Sequence, residues 1–273
     1  MENKKYIAFI GDSFTWGQGL YLPNWVEKKP HIFSQINKTE LQWTDQQPLV
    51  DEDDLKIKDE LSFTGIVSKE LGRICVKKID NGGNNYRNLQ IVSSLDMLSV
   101  DGVPTSQFSF FNKDLILIFQ LTHFGRDDIF NYMTEEEKEE ILKIDIIDSR
   151  EAINRLFRNR VKNHFEHING KLEELSIKCG FEYWYLDWNG DFYEFLPQKF
   201  IDIQIGKNSG KYFAPLADNF PIRVKINNME VRDGHINKEG NQIIAESILR
   251  WLRDKSRGAG GNPSLFPYVL RKP

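Results

Sequence analysis

"DLILIFQL", residues 114–121, is apolar at nearly every position. Successive side chains of a strand point to opposite faces, so a run of this kind needs both faces covered. That places it at the centre of a mainly parallel sheet with helices on either side. Working outward, "YIAFI" (6–10), "ICVKKI" (74–79) and "FEYWYLDW" (181–188) read as further strands, and "IRVKI" (222–226) as a fifth strand or a short hairpin arm. Helical spacing marks "ELSFTGIVSKELGR" (60–73), with Phe63, Ile66, Val67 and Leu71 on one side. It also marks "YRNLQIVSSLDML" (86–98), residues 134–143, and about 148–178. "NKEGNQIIAESILRWLRD" (237–254) reads as a last amphipathic helix, capped by Asn237 and burying Ile243, Ile244, Ile248, Leu249 and Leu252. Strands alternating with helices predict an α/β fold, a three-layer α/β/α sandwich around a mainly parallel sheet.

The 273 residues are 40% hydrophobic, enough for one substantial core. A single domain over 1–256 is expected, with an irregular insertion at about 20–60 and a tail over 257–273. The stretch "SRGAGGNPSLFPYVLRKP" (256–273), which takes in the tail, offers Leu265, Phe266, Tyr268 and Leu270 for docking on the body or on a partner. A net charge of −4 carries no broad basic footprint, so no nucleic-acid partner is expected. No apolar run is long enough to span a bilayer, and the N-terminal one is too short for a signal peptide. A cytoplasmic or otherwise non-secreted protein with no membrane partner is the expectation. Cys75 and Cys179 are too few for a disulfide scaffold and read as buried thiols.

In parallel α/β sheets, sites lie beyond the carboxyl ends of the strands. Three segments follow predicted strands and so share one edge: "GDS" (11–13), "NGGNN" (81–85) and "LTHFGRDD" (121–128). Ser13 within "FIGDSFTWGQG" becomes a nucleophile only with a base, and the base needs an orienting partner. Of the five histidines, His235 stands in "VRDGHINKEGNQIIAESI" (231–248), just before the last helix. Asp233 precedes it by two residues. That spacing lets the carboxylate fold back on the imidazole Nδ1–H and leave Nε2 for Ser13. Asp233-Gly234 also fits a β-turn that would leave His235 in solvent.

"FIGDSFTWGQG" near the start together with "DGHINKEGNQIIAE" near the end resembles the SGNH (GDSL-type) hydrolase family. The resemblance implies a flavodoxin-like α/β/α fold and a Ser-His-Asp triad: Ser13 the nucleophile, His235 the general base, Asp233 its orienter. It implies an oxyanion hole built from the Ser13 amide and, in "DNGGNNYRN", the amide of Gly83, or less well of Gly82. The family's third block is Gly-x-Asn-Asp after the central strand, where this chain has "FQLTHFGRDD" with no asparagine. By that alignment Thr122 takes the donor's place, with Asn84 or Asn85 able to swing in. One oxyanion donor is worth about 10²- to 10³-fold in rate, so the third position matters.

The resemblance implies a serine esterase acting on small acyl esters, such as O-acetyl groups on carbohydrate, with no cofactor. An O-acyltransferase using the same triad is a second reading. A lapsed enzyme kept as a glycan-binding or assembly module is a third, motivated by the missing asparagine. Asn85, His123 and Arg126 are the expected substrate contacts, Arg126 through a planar guanidinium suited to a carboxylate. Arg126 could instead pair with Asp127 or Asp128. His164 and His167 in "HFEH" lie near one helical face, but no third ligand accompanies them and no metal is expected. Trp16, Tyr21, Trp25, Phe33 and Trp43 either pack the 20–60 segment or form a sugar platform. "DEDDLKIKDE" (51–60) reads as an acidic, solvated stretch without a calcium-loop pattern.

Overall fold

In the computed structural model, four strands form the central sheet: β1 (Tyr6–Gly11), β2 (Ile74–Ile79), β3 (Leu115–Leu121) and β4 (Glu182–Asp187). The structure describes residues 5–34, 40–41, 46–79, 84–93, 99–100, 103–104, 115–122, 149–188, 190–205, 208–210, 214–226 and 229–258. The sheet order is β2-β1-β3-β4, with β1–β3 and β3–β4 parallel; Ala8 faces Leu117, and Leu117 faces Tyr183. This is the doubly wound, flavodoxin-like order. The chain steps to one side of β1 and then to the other, and in sheets of this order sites lie beyond the carboxyl ends of the strands at that switch. The α/β class and the central place of 114–121 are as the sequence predicts.

Two compact units divide the chain. One comprises Tyr6–Ser13 and Val76–Phe200; the other contains Phe14–Cys75 and the residues from Ile201 onward. In the first, helix α6 (Asn85–Ser93) packs on β1 and on the long helix α7 (Ser149–Cys179), which also meets β4. Ile7, Phe9, Leu117, Phe119, Tyr183 and Tyr185 are buried, as both-face coverage of the strands requires. Phe165 of α7 lies 5.3 Å from the Tyr185 ring and 5.7 Å from that of Phe200, an aromatic cluster under the last strand. The Tyr183 hydroxyl donates to Glu173 at 2.6 Å, with Asn169 Oδ1 3.0 Å away, and Tyr185 donates to Asn169 at 3.1 Å.

The second unit holds helices α1 (Ser13–Trp16, from Phe14 on), α2 (Leu22–Lys28), α3 (Pro30–Ser34), α4 (Glu52–Leu61), α5 (Phe63–Leu71), α8 (Ala214–Asn219) and α9 (Lys238–Gly258). It also contains an antiparallel hairpin, β5 (Pro221–Ile226) and β6 (Met229–Ile236), so 222–226 is a hairpin arm. Leu20, Tyr21, Leu22, Trp25, Leu41, Ile222, Val224 and Val231 form its core. Asn237 caps α9 as expected, its Oδ1 accepting from the Gly240 amide at 3.0 Å.

The stretch 20–60 departs from the irregular insertion the sequence suggests. Its described residues are largely helical, and 51–60 is no solvated run. Asp51 and Asp54 form a capping box at the start of α4, each side chain accepting from the other's backbone amide, at 3.0 and 3.1 Å. Asp54 is buried, and Lys29 reaches it at 2.7 Å and Asp51 at 2.5 Å. Lys58, one turn on, is buried beneath an ammonium–indole contact of 4.2 Å with Trp16. A helix whose inward positions include a carboxylate and an ammonium hides from any search for apolar periodicity.

Two expectations follow. Asn241, 2% exposed, accepts from the Phe63 amide at 2.9 Å and donates to the carbonyls of Ile236 at 2.8 Å and Asn237 at 3.0 Å. Removing it leaves buried backbone groups unpaired, so Asn241→Ala lowers stability by about 2–3 kcal/mol, read from urea unfolding. Burial first, then the neighbouring Glu173, hold the Tyr183 phenol well above its ordinary range, and burial does the same for Tyr185. The folded chain therefore keeps protons that the unfolded chain sheds above about pH 10. Stability is full below that pH and falls above it, by up to roughly 1.4 kcal/mol per pH unit for each phenol. Tyr185→Phe flattens this alkaline decline in the urea midpoint.

Candidate active site

Asp233 and His235 stand on β6 where the strand breaks register. Asp233 pairs with Ile222 and Ile236 with Pro221, so Gly234 and His235 form a bulge. Bulges re-aim side chains and end pairing, and this one turns the imidazole back toward its own strand. Asp233 Oδ1 accepts from the His235 backbone amide at 2.9 Å and lies 2.5 Å from His235 Nδ1. With Nδ1–H donated to the carboxylate, Nε2 is the nitrogen left for chemistry. Asp233 is 1% exposed and the His235 side chain 17% exposed, so the imidazole is not a solvated turn residue.

The second carboxylate oxygen is also engaged. Gln46 Nε2 donates to Asp233 Oδ2, and Tyr21 Oη donates to Gln46 Oε1 at 2.7 Å. Tyr21 and Gln46 are both fully buried. Burial, followed by the Asp233 charge, raises the Tyr21 phenol far above its ordinary range, so it is held as a donor. Room for this arrangement comes from Gly19. Its φ is +79°, and a Cβ there would stand 2.8 Å from Ile222 Cδ1 and 3.1 Å from Asp233 Oδ2. Phe14, the residue after Ser13, places its ring 4.7 Å from that of His235, centroid to centroid, tilted by 44°.

In the other unit, polar clamps stand at the carboxyl ends of β1 and β3. Gln120 Nε2 donates to the buried Asp12 at 2.7 Å, joining the strand ends just before Thr122 and Ser13. Ser13 itself is partly exposed at the turn after β1. Asn85 is buried and grips Thr122 at both ends, accepting from its amide at 2.8 Å and donating to its carbonyl at 3.1 Å. Those contacts tie Asn85 to the backbone of Thr122, a different use from the substrate contact and swinging donor expected of it. Asn84 Oδ1 accepts from the Arg87 amide at 2.9 Å and so caps α6. The Thr122 hydroxyl is buried and has no hydrogen-bond partner among the described residues. Gly83, Gly82, His123, Arg126, Asp127 and Asp128 lie outside the described residues, as do 134–143 and the tail from 259.

His164 is buried with the Tyr86 ring 4.7 Å away, and His167 lies 5.8 Å from the same ring. Among the described residues no group of three or more His, Cys, Asp or Glu could hold a metal ion. Tyr21 and Trp25 are core residues and not a sugar platform, with ring centroids 5.1 Å apart. Among the described residues no helix is long and apolar enough to cross a membrane. A cavity of about 650 Å³ within the second unit has Leu20, Pro23, Ile57, Leu61 and Ile222 as its apolar wall, with Asn237 and Lys238 at the start of α9. Asp233 and His235 do not line it.

No protein-family model matches this chain, and no curated protein does. Among solved structures it is similar to a carbohydrate esterase whose active site is described as displaying divergent catalytic and non-catalytic binding functions. The TM-score is 0.39 and the identity 14%, over 92% of this chain and 69% of the other.

Gly19 gives this geometry a direct check. Gly72, at φ +59°, has nothing within 4 Å of where a Cβ would sit. Gly72→Ala therefore carries backbone strain alone, about 1 kcal/mol, whereas Gly19→Ala adds a clash with Ile222 and Asp233. Urea unfolding should show Gly19→Ala losing about 2–3 kcal/mol, clearly more than Gly72→Ala.

Proposed function

We propose that this protein is a serine esterase of the SGNH type, with Ser13 as nucleophile, His235 as general base and Asp233 as its orienter. The observation that carries the reading is the Asp233–His235 pair, a buried carboxylate 2.5 Å from Nδ1 of a partly exposed imidazole. A structural histidine does not need that alignment, whereas a base that must hold one tautomer through a proton transfer does. Ser13 contributes its place at the carboxyl end of β1, the edge at which sites of parallel α/β sheets lie.

In this mechanism Ser13 Oγ forms a bond to the ester carbonyl carbon while His235 Nε2 takes the hydroxyl proton. The carbonyl π electrons move to oxygen, where the amides of Ser13 and Gly83 and the Thr122 hydroxyl donate hydrogen bonds. Thr122 suits that place because its backbone is clamped by Asn85 and its hydroxyl has no partner among the described residues. The tetrahedral adduct collapses, the C–O bond to the alcohol breaks, and His235 returns the proton to the leaving oxygen. Water, deprotonated by His235, then cleaves the acyl-enzyme and regenerates Ser13. His123 and Arg126 are assigned to the substrate side. Small acyl esters, O-acetyl groups on carbohydrate among them, are the substrate class the family resemblance supports.

Turnover of a short-chain aryl acetate and of an acetylated oligosaccharide tests the reading. Ser13→Ala should lose at least about 10³-fold in kcat, and Asp233→Asn about 10⁴-fold, with binding little changed. Equal turnover by wild type and Ser13→Ala contradicts it. An added alcohol that outcompetes water for the acyl group would make the enzyme an acyltransferase with the same triad.

A further inference from the structure

We infer that Gln46 is a positioning residue for the Asp233–His235 pair, reaching across from the segment that first reads as an insertion. The inference deepens the esterase reading and rests on it. A carboxylate hinged at Cβ can rotate, and a donor on its second oxygen adds to the His235 amide in fixing the aim of the first at Nδ1. Gln46 supplies that donor, and its orientation is set. Tyr21 Oη donates to Oε1 at 2.7 Å, which leaves Nε2 as the end facing Asp233 Oδ2. A hydroxyl, an amide and a carboxylate thus form one directed chain ending at the imidazole.

The backbone supports the same placement. The Leu41 amide donates to the Arg232 carbonyl at 3.1 Å, and Glu40 bridges to Arg232 in parallel fashion. Glu40 and Leu41 are therefore stitched to the strand that carries Asp233. Gln46, Tyr21 and Asp233 are each at most 1% exposed, so water does not substitute for the amide. The chemistry also explains the residue type. An apolar side chain offers no donor, and a carboxylate at this place would face a second carboxylate.

The experiment compares Gln46→Leu, Gln46→Glu and Tyr21→Phe with wild type and Ser13→Ala. Aryl acetate turnover is followed over pH 5–10, and folding is checked by circular dichroism. Gln46→Leu should lower kcat about 10- to 100-fold with KM nearly unchanged, as expected when a reacting group is misplaced by a fraction of an ångström. Gln46→Glu is the conservative variant. While one proton is shared between residue 46 and Asp233 it can donate as the amide did, so activity is retained at low pH. When that proton is lost on raising the pH, two carboxylates oppose each other. The variant should therefore show a falling alkaline limb that wild type lacks, an effect that general loosening of the fold would not produce. Tyr21→Phe should give a smaller loss in kcat. If Gln46→Leu fails to fold, the other two variants decide. Wild-type kcat and pH profile in folded Gln46→Glu and Tyr21→Phe, with Ser13→Ala inactive, would overturn the inference and leave the triad standing. Wild-type turnover by Ser13→Ala would instead remove the triad, and the inference with it.

Discussion

A carboxylate withdrawn from water must have its charge answered on every side, and Asp233 organises its unit around that demand. Burying an ionised carboxyl without partners costs several kcal/mol, and its lone pairs take hydrogen bonds wherever they are offered. Here one oxygen takes the amide and ring N–H of His235, and the other takes the Gln46 amide. The neighbouring features follow from that constraint. The β6 bulge brings His235 within reach, Gly19 omits a Cβ that would collide with the carboxylate, and Tyr21 fixes which way the Gln46 amide faces. A carboxylate so confined has one orientation, which is what an orienting acid must have.

The unit containing the parallel sheet solves a related problem with neutral and charged side chains. Strand ends at a switch point leave backbone groups without ladder partners, and these must be paired before the loops beyond can hold shape. Asn85 closes the amide and carbonyl of Thr122, and Gln120 bonds Asp12 next to Ser13. Both clamps stand one residue or none from groups assigned to the reaction. Among the described residues the Thr122 hydroxyl at that strand end is left without a partner.

The architecture was legible wherever burial was apolar and periodic. Residues 114–121, 6–10 and 74–79 read as strands because their side chains say so locally, and α5 and α9 carry apolar stripes at helical spacing. The Asp233–His235 contact was legible as well, since a single residue, Gly234, separates them. What stayed hidden depends on distant pairing. Gln46 and Asp233 are 187 positions apart, and "WTDQQPLV" has no local pattern that marks one glutamine as buried. The two glycines of "GQG" were the one local hint, since glycines in close succession often mark positive φ, which both Gly17 and Gly19 adopt. Helix α4 was missed because its inward face carries Asp54 and Lys58, whose burial makes sense only beside Lys29 and Trp16.

The account turns on Ser13 being made reactive by His235. Its most direct measurement is covalent: treat wild type and His235→Ala with a fluorophosphonate and map the adduct by peptide mass spectrometry. The account predicts a single phosphonyl group on Ser13 in wild type and none in His235→Ala over the same time. Labelling of another residue, or equal labelling of Ser13 in both proteins, would contradict it.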